Sequence, residues 1–249
     1  MTGARVVLIA CLASVFGIAW GADAPAIPAG ARIGIIDIVT NDVTHYHVGR
    51  SEVNGFLRTY RGNWGAADLI DDPLAASLKG AGFQPVAVEA SDALHKARES
   101  WLIQDPHAKK LPRGCLKELG RIMMEENLAA LIIAAPGANT EPEFVEGNRW
   151  SRLPGTVQGF GFSTSDEPNG ITKPAVFDFT QMVVVAQTAD GPRLVARDWG
   201  GNRVYDWPDF DPGANLKELS GTQLAQLRPV IAEAMKTRIA TRLMPHLKP

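Results

Sequence analysis

The feature that most constrains this chain is a pair of apolar runs about a hundred residues apart. Residues 32–39 read RIGIIDIV and residues 128–135 read LAALIIAA, and neither alternates polar with apolar positions. A strand that is apolar on both faces needs cover on both, which is the situation of a sheet layered between helices. The segments between them supply those helices. In residues 73–83, PLAASLKGAGF, Leu74, Leu78 and Ala81 share one helical face, Pro73 suits a first helical turn, and Gly80 and Gly82 supply the stop. Residues 84–89, QPVAVE, read as a second strand, and helical spacing resumes over 90–103 until residues 106–114 break it. Residues 115–127, CLKELGRIMMEEN, put Leu116, Leu119, Ile122 and Met123 on one face just before the third strand. Strand, helix, strand, helix, strand is the order of a right-handed parallel α/β layer.

The second half reads differently. Residues 155–164, GTVQGFGFST, are strand-like with glycine interruptions. Residues 176–188, VFDFTQMVVVAQT, meet Asp190-Gly191 and are answered by 193–198, RLVARD, which is a hairpin signature. Residues 222–247 keep near-helical spacing through Leu224, Leu227, Ile231, Met235, Ile239 and Leu243, with Pro229 starting or kinking that helix. The expected fold is a single α/β domain over 32–249. Its mixed sheet is parallel in the first half, carries an antiparallel hairpin in the second, and is flanked by helices.

This layout resembles the periplasmic α/β domain shared by the TolB amino-terminal domain and the curli-secretion lipoprotein family. The resemblance is carried by RIGIIDI, PLAASLKGAGFQPVAV, LGRIMMEENLAALIIAAP, the hairpin at Asp190-Gly191 and the terminal helix. It covers about three fifths of the chain after its leader; residues 41–71 and 138–153 depart from it. It implies a binding or assembly domain of the cell envelope without catalytic residues, and no partner-binding position is carried over.

Residues 1–21 support the same address. Arg5 precedes an uncharged apolar run over 6–20, and Ala19 and Gly21 supply the small residues that a signal peptidase requires. The run is shorter than the roughly 20 residues of a spanning helix. Cleavage after Gly21 is expected, leaving a flexible Pro- and Ala-rich lead-in over 22–31. The apolar stretch before Cys11 is too short for lipoprotein processing, so an anchor there is not expected. The expected location is the periplasm, with an envelope protein or cell-wall component as partner. Cleavage leaves 24 basic against 27 acidic side chains, a net charge of −3, and no basic footprint for nucleic acid or an anionic membrane. It also leaves Cys115 as the one thiol, so no intramolecular disulfide is expected.

Four constellations carry chemistry worth weighing. In Thr44-His45-Tyr46-His47, strand periodicity puts His45 and His47 on one side, where two imidazoles suit zinc. Asp37 and Asp42 lie near in sequence, and no HExxH motif supplies further ligands. The alternatives are a metal-dependent hydrolase built on His45 and His47, or one packed histidine with the other in solvent. Cys115 begins a helix, where the dipole lowers a thiol pKa, although a lone cysteine also serves as a small apolar core residue. Gly155, Gly159 and Gly161 lack the Lys-Ser/Thr of a phosphate loop and fit a twisted or bulged strand with its turn. Finally, Trp199, Tyr205, Trp207 and Phe210 surround Asp206, Asp209 and Asp211. The carboxylates miss the calcium-loop pattern, with Gly213 one position early and Ser220 at the closing position. The four aromatics are candidates for a partner-binding anchor or a lid on the core.

Overall fold

A computed structural model describes residues 26–49, 54–61, 65–98, 110–139, 157–166, 172–199, 203–206, 210 and 218–247. The leader, at 1–21, and Trp207 lie outside the described residues.

The parallel layer is as the apolar runs require. Strand β1 (Arg32–Asp37) pairs in parallel with β4 (Gln84–Ala87) on one side and β5 (Ala130–Pro136) on the other. Every residue of β5 is buried. Successive side chains of a strand point to opposite faces, and the core divides accordingly. Ile33, Ile35, Ile132 and Ala134 pack with Ile70, Leu74 and Leu78 of α1 (Ala66–Gly80) and with Leu227, Ile231 and Met235 of α5 (Leu227–Arg238). Ile36, Leu131 and Ile133 pack on the other face with Leu94 of α2 (Asp92–Arg98) and with Cys115, Leu119, Ile122 and Met123 of α3 (Arg113–Glu125). Each such buried aliphatic side chain contributes on the order of 1.5–3 kcal/mol.

Three boundaries differ from the sequence reading. Pro73 lies inside α1, not at its first turn, because residues 66–72 already form helix and bury Leu69 and Ile70. Residues 41–71, which looked like an insertion, contribute strands β2 (Val43–Val48) and β3 (Phe56–Tyr60) as an antiparallel pair. Residues 26–31 are not a loose lead-in: Ile27 is in the core, and the Gly30 amide donates to the Gly82 carbonyl at 2.9 Å.

Strand β8 (Thr172–Thr188) organises the rest. Its first half pairs antiparallel with β7 (Val157–Asp166) and its second half with β5. The hairpin expected at Asp190-Gly191 returns as β9 (Gly191–Trp199) along Gln181–Thr188, and β10 (Arg203–Asp206) continues that edge along Ala175–Asp178. Strand β2 then joins β7 in parallel. The path across the sheet is β3-β2-β7-β8-β5-β1-β4, and a two-residue β6 (Ala138–Asn139) pairs with β7. One continuous mixed sheet results, with helices on its faces.

The carboxyl-terminal helix is broken into segments: α4 (Gly221–Ala225), closed at its start by a Ser220–Gln223 capping box, then α5, a π-helical turn (Ile239–Leu243) and a 3-10 turn (Met244–His246). A buried ion cluster fixes α5 to the sheet. Arg238 is fully buried and uses all five of its N–H groups. Nε donates to Asp198 Oδ2 at 2.5 Å; Nη1 donates to Asp178 Oδ2 at 2.7 Å and Thr180 Oγ1 at 2.8 Å. Nη2 donates to the carbonyls of Thr180 at 3.2 Å and Asp198 at 3.0 Å. Asp178 Oδ1 accepts from the amide and hydroxyl of Thr180. The clamp joins β8, β9 and α5, and it stands at the point where β8 passes from one pairing set to the other.

Candidate functional site: a buried histidine pair behind an edge strand

The β-branched and aromatic residues of VTHYHV favour a strand, and β2 turns Val43, His45 and His47 to one face. His45 stands beside Phe162 of β7 and opposite Arg58 of β3. Its ring stacks on Phe162 at 4.2 Å between centroids, meets Phe56 edge-on at 5.0 Å, and lies parallel to Tyr60 at 6.5 Å. His47 stacks on Phe56 at 5.0 Å. The expectation of one packed and one solvated histidine is overturned: His45 is 0% exposed and His47 4%. Aromatic side chains arriving from β3 and β7 close over both.

Thr164 of β7 lies between them. Its Oγ1 is 2.8 Å from His45 Nε2 and 2.8 Å from His47 Nδ1. A hydroxyl has one proton to donate and lone pairs to accept. With both rings neutral, one ring N–H donates to Oγ1 while the hydroxyl donates to the other ring nitrogen. Asp166 follows on β7, with Oδ1 3.7 Å from His47 Nε2. His45 Nδ1 is buried with no hydrogen-bond partner among the described residues. Burial, then the charges of His47 and Arg58, lowers the His45 pKa to about 3. His45 is therefore neutral at physiological pH.

The candidate zinc ligands His45 and His47 thus meet on a threonine hydroxyl. Among the described residues, no group of three or more His, Cys, Asp or Glu side chains is placed to hold a metal ion. His95 is exposed on α2, Asp42 is only partly buried on the loop before β2, and His107 lies outside the described residues. Asp37 is elsewhere, at the carboxyl end of β1, facing the start of α1. There its Oδ1 accepts from the Val39 amide at 2.7 Å, and Asp37 Oδ2 and Asp71 Oδ1 are buried without hydrogen-bond partners among the described residues. Burial raises the Asp37 pKa to about 6, and burial with the nearby Asp37 charge raises that of Asp71 to about 6.

The remaining candidates separate. Phe210, a candidate for a partner anchor or a lid on the core, is buried, its ring 6.1 Å from that of Phe162; it lids the core beside the histidine pair. Trp199 and Tyr205 have their backbones in β9 and β10, but their side chains, and all of Trp207, lie outside the described residues. Cys115 is 0% exposed, and burial pushes its thiol up to about 12, partly countered by Arg197. It is a core residue and not an activated nucleophile. Gly159, at φ 70°, and Gly161 lie in β7, which pairs with β2 and β8 without a register shift over the described residues, so the strand is there but no bulge is seen. Gly155 lies outside the described residues. A Cβ at Gly161 would come within 2.2 Å of the Phe177 ring and 2.3 Å of the Thr44 carbonyl, so β2 and β7 approach closely only over glycine.

Sequence reasoning missed Thr164, Asp166 and the Arg238 clamp. Their partners stand 40 to 119 residues away, and no local motif marks such pairs. No helix among the described residues is long and apolar enough to cross a membrane. No family model matches the chain, and no curated protein matches it. Among solved structures, the chain is similar to a hypothetical protein from Chlamydia trachomatis, with 7% identity, a TM-score of 0.38, and coverage of 88% of this chain and 98% of that one.

Proposed function

We propose that this chain is exported and serves in the cell envelope as a non-enzymatic binding domain, docking an extended segment of a partner protein along β3. The observation that carries the reading is the contrast between the two ends of the sheet path. Strand β4 is four residues long and carries Pro85, which cannot donate to an added strand. Strand β3, FLRTY, has neither proline nor lysine, pairs only with β2 among the described residues, and leaves Leu57 38% exposed beside exposed Arg58 and Thr59. An edge strand without proline offers backbone N–H and C=O groups to another chain, and this is how strand addition recognises extended peptides. The leader pattern over 1–21 and the likeness in layout to an envelope assembly domain support the location.

A photo-crosslinking amino acid placed at Leu57 in the full chain, in growing cells, tests the docking strip. A discrete adduct from position 57, absent from position 84 and lost with Thr59→Pro, is expected. Equal labelling from both positions, or none from 57, refutes it. Amino-terminal sequencing of the protein from the envelope fraction tests export, with Ala22 expected as first residue.

A further inference from the structure

We propose that His45, Thr164 and His47 form a proton-operated latch that holds the β2–β3 pair against β7, so that acid loosens the docking strip. This rests on the docking reading and supplies its regulation. The latch follows from the inventory of hydrogens. In the neutral state the Thr164 hydroxyl links two ring nitrogens, each 2.8 Å away, donating its one proton to one and accepting an N–H from the other. If both rings become cationic, both of those nitrogens carry protons, and the threonine proton loses its acceptor. Two positive rings with centroids 6.4 Å apart then lie buried under Phe56 and Phe162.

The charged and titratable groups around the pair, among the described residues, give this charge little relief. Strand β3 presents Arg58, of the same sign, and Tyr60. Strand β7 presents Asp166, which is near His47 and not His45. Glu218, before α4, is directed to Arg58 at 3.9 Å. Farther along that face, Asp178 is already held by Arg238. Even a proton on His45 alone, which leaves the threonine link intact, puts a charge in a fully buried aromatic box with no described hydrogen-bond partner at Nδ1, and so favours a state in which the ring leaves that box. Because β2 carries both histidines and is the only described neighbour of β3, the edge strand moves with it. The lowered proton affinity of His45 agrees with this direction.

Hydrogen exchange of the exported protein at pH 7.5 and pH 5.0, corrected for intrinsic amide rates, reads the latch without any partner. An imidazole with an ordinary pKa near 6.5 once released raises the opening equilibrium of β2 and β3 about 30-fold at pH 5. Amides of β1, β4 and β5 should not follow. His45→Phe, which keeps the stacking, should abolish the rise. Should that variant not fold, Thr164→Val removes the link and keeps the shape; it should open β2 and β3 already at pH 7.5. Equal opening at both pH values in the unaltered protein, the same rise in His45→Phe, or undiminished protection in Thr164→Val overturns the latch. Crosslinking from Leu57 in envelope extracts at the same two pH values separates the two readings. Adducts that fade at pH 5 only when His45 is present support the regulation. Exchange that follows the latch, with no adduct at either pH, supports the latch and overturns the docking it would regulate.

Discussion

Replacing Arg238 with methionine tests the energetics of the clamp most directly. Methionine fills much of the volume of the arginine stem but removes five donors, leaving Asp178 Oδ2 and Asp198 Oδ2 as carboxylate oxygens facing a packed interior. Breaking a buried ion pair from one side costs about 3–5 kcal/mol, chiefly because a remaining charge is uncompensated; here that charge is Asp178, since Asp198 keeps Arg242 Nη1 at 3.6 Å from its Oδ1. Against a total stability of roughly 5–15 kcal/mol, that is a large fraction. With a urea dependence of about 2 kcal/mol per molar, the unfolding midpoint should fall by about 1.5–2.5 M. The measurement is equilibrium urea unfolding at pH 7.5, followed by circular dichroism and tryptophan fluorescence. A companion variant, Arg238→Met with Asp178→Asn and Asp198→Asn, should recover part of the loss, since no buried charge is then left alone. A midpoint shift below about 0.5 M for Arg238→Met alone, with unchanged slope, would refute the reasoning. It would mean that Asp178 is solvated in a way that its burial beside Arg238 does not allow.

Four further outcomes follow from the same structure. His45, with a folded pKa of about 3 against an ordinary 6.5, binds its proton mainly when unfolded, so its contribution falls as pH drops below 6.5. By pH 5 the loss is about 2 kcal/mol relative to His45→Phe, read as the difference between two urea titrations. Asp37 and Asp71, raised to about 6, act in the opposite sense and gain stability as pH falls through 6; Asp71→Asn should therefore stabilise the protein at pH 8. Cys115 should resist iodoacetamide at pH 8 in the folded protein and react once unfolded, as mass spectrometry would show; rapid native alkylation would contradict its burial. Gly161→Ala should cost more than about 3 kcal/mol or prevent folding, because the added carbon meets both the Phe177 ring and the Thr44 carbonyl; a thermal melt checks this.

What the sequence disclosed was what local chemistry controls. Two-sided apolar runs gave β1 and β5. The Asp190-Gly191 turn, with Gly191 at φ 107°, gave the β8–β9 hairpin. Strand periodicity placed His45 and His47 on one face. Pro73 misled because a favourable starting residue competes with burial of Leu69 and Ile70 one turn earlier, and burial prevailed. The histidine site was half legible. Its imidazoles lie two residues apart, but the threonine between them belongs to a strand whose parallel register with β2 is set by the whole sheet. Phe210 was left open between anchor and lid for a related reason, since an aromatic among prolines and aspartates has the same local appearance whether it faces a partner or a core.

Strand β8 has a consequence for how this fold can be taken apart. A single run of seventeen residues is the common rail for both pairing sets. No cut through the chain can separate the half bearing the histidine pair from the half bearing β1 and β4 without depriving one of them of its central neighbour. The molecule cannot be inherited, engineered or digested as two modules. A shortened version that keeps only the docking strip would have to bring all of β8 with it, and with β8 the clamp that seats the final helix.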